Sequence, residues 1–496
     1  MIDSPEPTDV IALDGASTGD REVLGGKAYS VNRMRGLGLP VPPAFALPTH
    51  VCAKYHANSR TLPDEVWSQV LASVTRLEAE TGRTFGRGPS PLLVSVRSGA
   101  AQSMPGMMDT VLNLGLTPEL VEALGEESGD PGWAQDTWSR FCRSYSEIVL
   151  GLDGQGTTQP PTDAFEQLRA AIGAVFDSWT NERVRSYRER HSLGAGGGTA
   201  VTVQAMVFGN RDSNSATGVM FSRNPSTGEP VLYGEWLADA QGEDVVSGEK
   251  TPQALSTLQE QYPALYSQVE EVASVLEREI RDLVDIEFTI ESGRLYMLQC
   301  RAGKRSPKAA VRVAVDLAAE GVITPTEALA RISEDHVTSL GSSKSVVTTS
   351  APIAAGLAAS PGVAVGRVAR DLGEVTELVD AGHDVVLVRT FTAPDDVPAM
   401  FQSVGVVTEV GGATSHAALV CREIGLPCVV GAGDGLVDAL AGQVITVDGT
   451  SGQIFAGDVV DTPVDPEDPY VQRLIALAEA EGADDHPVHR LVRADA

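Results

Sequence analysis

Aromatic side chains make up only 5% of this 496-residue chain, and lysine and arginine together number 37 against 67 aspartates and glutamates. The resulting formal charge of -30 repels phosphate backbones and anionic headgroups, which argues against nucleic acid and membrane surfaces as partners. A nucleotide enzyme of this composition must build a local positive site or recruit a cation, while the global charge is accounted for by solubility. Cysteine is scarce too. Cys52, Cys142, Cys300, Cys421 and Cys428 form no CxxC pair, so neither a disulfide framework nor a zinc ribbon is expected. No apolar run approaches the ~20 residues that span a bilayer. The start, MIDSPEPTDVIALDG, is acidic and broken by Pro5 and Pro7, unlike a secretory leader, so a cytoplasmic protein is expected.

The aliphatic share is ample, with 42% hydrophobic residues, and the length exceeds what one core fills, so two or three domains are expected. Helical patterns run over 28–35, ending at Gly36, Gly38 and Pro40, and over 64–80. Residues 92–96 read as a strand that ends in a loop beginning at Arg97. A mostly helical stretch from 117 to 191 follows, then a strand at 199–207 and a long helix near 253–281. A hairpin is expected from 285–290 and 295–300 around a three-residue turn, Ser292–Arg294. Two short helices fit 306–335, and 338–355, poor in large side chains and charge, reads as a linker. A smaller α/β unit extends to Val460, and residues 461–496 read as an acidic, partly helical tail without a clear core.

Alternation along the hairpin puts Asp285 and Glu287 on one face while Ile286, Phe288 and Ile290 fill the other. A three-residue turn would set Glu287 opposite Gln299 and Asp285 opposite Arg301. Such carboxylates suit Mg²⁺ bridging to nucleotide phosphates, with the arginine neutralising transferred charge; a solvated face with surface ion pairs is the other reading. Gly25-Gly26-Lys27 precedes a helix, where backbone amides and a lysine can meet a phosphate, or it is a plain turn. It is not a Walker A loop, because Ala28 follows the lysine.

The sharpest local signal is Gly411-Gly412-Ala413-Thr414-Ser415-His416. Two glycines follow a strand at 404–408, and Thr414 or Ser415 can cap the helix beginning near His416. The free amides and dipole at a helix start keep an imidazole neutral and stabilise an attached phosphoryl group. His416 is therefore a candidate nucleophile, or else a solvent-facing neighbour of the cap.

Taken in order, these motifs resemble the pyruvate, phosphate dikinase family. The matching stretches include GGKAYSVNRM, SVRSGAAQSMPGMMDTVLNLG, GVMFSRNPSTGE, LYGEWLADAQGEDVVSG, DIEFTIESGRLYMLQCRAGKR and GGATSHAALVCREIGLPCVVG. The resemblance implies an α/β multidomain protein: an ATP-grasp nucleotide-binding region over 1–305 with a helical insertion at 117–198, a helical linker and hinge at 306–355, a phosphohistidine swivel domain at 356–460, and the acidic tail. It implies that Lys27 and Arg97 contact phosphate, Glu243 lies near the nucleotide, and Asp285 and Glu287 hold Mg²⁺, with Gln299 and Arg301 completing the ATP site. It further implies that Arg140 is linked to inorganic phosphate, that His416 is the phosphorylated residue and that Thr414 is a regulatory threonine. The motif reads Thr408-Glu409-Val410-Gly411-Gly412 here, where relatives usually place an arginine before the glycines.

The implied reaction uses Mg²⁺, ATP and inorganic phosphate, releases AMP and leaves a phosphate on His416. The family's pyruvate-binding barrel is expected to be missing here, so the acceptor would be pyruvate on a separate barrel protein. A small molecule, as in rifampin phosphotransferase, or a phosphorelay partner are the alternatives.

Overall fold

The computed structural model describes residues 8–101, 110–152, 158–181, 184, 185, 188, 198–242, 244, 252–341, 345–346, 351–412, 415–461, 468–483 and 485–489. The chain divides into two compact units, one of residues 1–215 with 288–300, the other of 216–287 with 301–496. This division differs from a single region over 1–305, because the hairpin strands Val284–Glu291 and Arg294–Ala302 carry the chain from one unit to the other and back. Among the described residues no helix is long and apolar enough to cross a membrane.

The first unit is built on a five-stranded sheet in the order Ile11–Ala12, Ala44–Leu47, Ala200–Ala205, Val94–Gly99, Thr110–Leu114. Helices Pro118–Ser128, Pro131–Ser144 and Ala164–Ser178 lie within the expected insertion. Asp130 and Asp163 start two of them by accepting backbone N–H groups, and Thr117 starts the other. Their apolar faces are not a separate layer: Trp138, Phe141, Leu168 and Phe176 share one core with Val94, Val96 and Val203 of the sheet. The first helix is longer than expected, Arg21–Gly36, and is interrupted at Gly25, whose φ is +73°. A Cβ on Gly25 would lie 1.9 Å from the Gly99 carbonyl oxygen, so glycine is required there by contact as well as by conformation.

A second five-stranded sheet has the order Gln253–Ala254, Tyr233–Ala238, Ala216–Phe221, Val284–Glu291, Arg294–Ala302. The expected helix over 253–281 is two helices, Leu255–Gln261 and Pro263–Ile280. Pro263 lacks the N–H a helix interior needs, so it opens a new helix instead of continuing the old one. The hairpin turn is also shorter than expected. Ser292 and Gly293, at φ +49° and +77°, form a two-residue connection in which both central residues are left-handed, matching the twist of the flanking strands.

The two short helices expected over 306–335 are present. Ser306 caps helix Pro307–Ala319, and Thr324 with Glu327 forms a capping box on Pro325–Ala330. The expectation of a coreless tail is corrected. Asp468 caps helix Pro469–Ala480, which buries Val471, Leu474 and Ala478 in one cluster with Val311, Ala314 and Leu317. Between these helices sits an eight-stranded sheet whose central strands Val363–Ala369, Val385–Arg389, Gly405–Thr408 and Cys428–Val430 are parallel neighbours. The chain entering and leaving that domain pairs with itself, Ser345 with Asp461 and Val346 with Val460. Its connection is therefore double.

Candidate active site

In the first unit, the break at Gly25 turns the following helix onto the end of strand Val94–Gly99. Gly26 N–H donates to Ala100 O at 2.8 Å, and a Cβ on Gly99 would contact the Lys27 Cβ at 3.7 Å. Arg97, three residues before Ala100, reaches the Gln299 amide oxygen at 3.5 Å. The structure thus gathers Lys27, Arg97 and Gln299 within one unit. Arg140 is placed elsewhere, on helix Pro131–Ser144, where its Nε donates to Asp136 at 2.8 Å, one helical turn away. Glu243 and Thr414 lie outside the described residues.

In the second unit, Asp285 and Arg301 are partners as expected, although the turn is shorter. The Arg301 Nε and Nη2 both donate to Asp285 Oδ2 at 2.8 Å, with the carboxylate side chain 5% exposed. Behind them Ile286 and Phe288 are fully buried. Glu287 is half-buried on the same strand. Among the described residues no three His, Cys, Asp or Glu side chains form a metal-binding group. Asp285 and Glu287 present carboxylate oxygens from one strand, the hard ligands that Mg²⁺ takes. That set fits a Mg²⁺ ion completed by phosphate oxygens and water, not an ion held by protein alone.

His416 is the first residue of helix His416–Ile424, and extended Ser415 stands at the cap position without a side-chain bond to the helix. Of the two expected caps, Thr414 or Ser415, the serine makes no such bond, and its buried hydroxyl has no partner among the described residues. The loop bearing His416 and the one bearing Thr392 leave the carboxyl ends of two adjacent parallel strands, paired at Arg389 and Thr408. That topology brings Thr392 Oγ1 to 3.0 Å from His416 Nδ1. The other ring nitrogen, Nε2, is buried with no hydrogen-bond partner among the described residues. Desolvation by burial lowers the imidazole's pKa from 6.5 to about 4, against the opposing charge of Asp396. At neutral pH the ring is uncharged.

Glu409, before the glycines, has partners of its own. Its buried carboxylate accepts from the Thr390 hydroxyl at 2.8 Å and from Val437 N–H at 2.9 Å. Burial raises its pKa, but these bonds outweigh it and the net shift is downward. The glycines before His416 have separate reasons: Gly411 has φ +109°, and a Cβ on Gly412 would fall 2.1 Å from Glu235 Oε2. Sequence reasoning missed Thr392, Glu235 and Arg422, the last on the histidine helix itself. Arg422 lies six residues beyond His416, on a different face of the helix, so spacing along the chain does not link the two.

Residues 56–271 match the family described as pyruvate phosphate dikinase, AMP/ATP-binding domain, and residues 381–452 match the PEP-utilising enzyme, mobile domain. The chain is similar to the pyruvate, phosphate dikinase of Rhizobium meliloti (strain 1021), 43% identical over 89% of this chain and 57% of that one. It is likewise similar to that of Clostridium symbiosum, 39% identical over 88% and 57%. The chloroplastic protein of Flaveria trinervia is 39% identical over 90% and 53%. The chain spans little more than half the length of these relatives. This chain therefore carries an AMP/ATP-binding domain and a mobile domain of the kind found in pyruvate, phosphate dikinase, and is homologous to such proteins over most of its own length.

Proposed function

We propose that the chain is a dikinase-type phosphotransferase that takes phosphate from ATP onto His416 and hands it to a second acceptor. The observation that carries this reading is the state of His416: a neutral ring, Nδ1 tied to Thr392, and Nε2 buried at a helix N-terminus with no partner among the described residues. With the Nδ1 proton donated to the Thr392 hydroxyl, the lone pair stays on Nε2 as the nucleophile. A nitrogen–phosphorus bond forms there as the phosphorus–oxygen bond to AMP breaks. Inorganic phosphate then takes the outer phosphoryl group as pyrophosphate and leaves one on the histidine.

Lys27 and Arg97 bind phosphate oxygens in this reading, with Gln299 orienting Arg97. Asp285 and Glu287 would hold Mg²⁺, which when bound neutralises charge on the transferred group. Arg301 keeps the Asp285 carboxylate in place and adds positive charge beside it. Glu243 near the nucleotide, Arg140 at inorganic phosphate and Thr414 as a regulatory residue complete the proposal. The names of the relatives make pyruvate the first acceptor to test.

The test is incubation with Mg-ATP, with and without phosphate, followed by product analysis. AMP and an acid-labile, base-stable phosphoryl adduct on His416 are expected, and His416→Asn should lose the adduct while still binding nucleotide. ADP as the sole nucleotide product, or full labelling of His416→Asn, would refute the assignment.

A further inference from the structure

The histidine helix carries a second charged residue one and a half turns beyond His416. Arg422 is half-buried, and its Nη1 donates to Ala359 O at 2.6 Å within the mobile domain. Its guanidinium also leaves that domain: it stands 5.3 Å over the ring of Phe221, on strand Ala216–Phe221. Lost hydration lowers the pKa of this guanidinium, and the negative field of Asp285 is the first of the effects that oppose the lowering.

Two further contacts lie on the same surface. Tyr233, on the neighbouring strand, donates its hydroxyl to Ala358 O at 3.2 Å. Gly412, in the loop before the histidine, lies so close to the buried Glu235 carboxylate and to Pro252 that no Cβ fits. Strand Tyr233–Ala238 thus meets the histidine loop and the strand Leu357–Ser360, while Arg422 bridges to Phe221 and the field of the acid-bearing hairpin.

We propose that Arg422 is a positioning residue that docks the histidine helix on the sheet carrying Asp285, so that His416 is delivered to the phosphate being transferred. Cation–π contact and a charged hydrogen bond act together here with a carboxylate field, and each is strengthened by exclusion of water. A methionine at 422 keeps the apolar stem but leaves the Ala359 carbonyl and the acid field uncompensated. The rate arm of the test rests on the transfer reading above, but the distance arm does not.

All five native cysteines are buried, so spin labels can be placed on cysteines introduced at the exposed Val275 and Val379. Without nucleotide, Arg422→Met should broaden and lengthen the distance distribution between these labels, and Arg422→Lys should restore part of it. In single-turnover labelling at saturating Mg-ATP, Arg422→Met should be slower by at least ~10-fold, with the Kd for ATP changed by less than about 2-fold, the pattern of lost positioning after binding. Tyr233→Phe alters only the opposite side of the contact and should shift distance and rate in the same direction without lowering the melting temperature of the mobile domain. An unchanged distance distribution in Arg422→Met, or, should that variant fail to fold, in Tyr233→Phe, would overturn the inference. A wild-type chain that never labels His416 refutes the transfer reading instead and leaves the distance result standing.

Discussion

Asp285 and His416 belong to the same unit and are both withdrawn from water, yet their surroundings treat them oppositely. Asp285 is held by two bonds from Arg301, so a carboxylate at 5% exposure has its charge compensated. His416 has one nitrogen engaged by a neutral hydroxyl and the other without a partner among the described residues, and burial keeps it uncharged. The difference follows from the chemistry each group is suited to. A group that stays ionised and gathers a cation is best pre-paired and rigid. A nucleophile is best left with an unsatisfied lone pair, because any bond made in the resting state must be broken before attack.

That comparison can be broken first at the acids. Glu287→Gln removes a charge without removing volume and should slow labelling of His416 by at least ~100-fold, since metal-assisted stabilisation of the transferred charge would be lost. A near-normal single-turnover rate would show that the acidic strand is only a solvated face.

Thr392→Val tests the histidine side. It leaves Nδ1 without its partner and frees the ring to carry its proton on either nitrogen, so a loss of ~10-fold in labelling rate is expected, the worth of about one hydrogen bond. Thr392→Ser should recover most of it. Equal rates in valine and threonine forms would remove the hydroxyl from the mechanism.

The smallest effect is in pH. Because the folded imidazole titrates at about 4 and not at 6.5, labelling should stay level from pH 8 down through 6 and fall only as pH approaches the lower value. The sign carries over to stability. The contribution of neutral His416 is fully present above pH 6.5 and is lost as pH falls toward 4, since only the unfolded chain binds the proton in that interval. An acid limb near 6.5 in the rate profile would mean that His416 is hydrated when it reacts.

The parts of the site that were legible along the chain are those set by neighbours in sequence. Ile286, Phe288 and Ile290 alternate with Asp285 and Glu287, so the strand and its polar face follow from side-chain direction alone. Gly411-Gly412 before His416 announces a strand end and a helix start for the same local reason. Even so, the reading of Ser292–Arg294 as a three-residue turn was one residue too long. A non-glycine at φ +49° is rare enough that Ser292 gave little hint of a left-handed position.

Residues 469–480 show where the local reading stops. Their capped, amphipathic pattern marks a helix, but nothing nearby says that Leu474 finds Val311 and Leu317, more than 150 positions earlier. Thr392 is similar: a threonine in a loop has no distinguishing pattern, and its meeting with His416 depends on two parallel strands lying side by side. The sequence by itself determined the two carboxylates on one strand, the glycine turn beside Lys27 and the histidine at a helix start, because dihedral preferences and side-chain periodicity act over a few residues. Tertiary structure alone decided which nitrogen of His416 is left unpartnered, where Arg422 points and what the last helix covers, because those depend on contacts between segments that only the packed chain brings together.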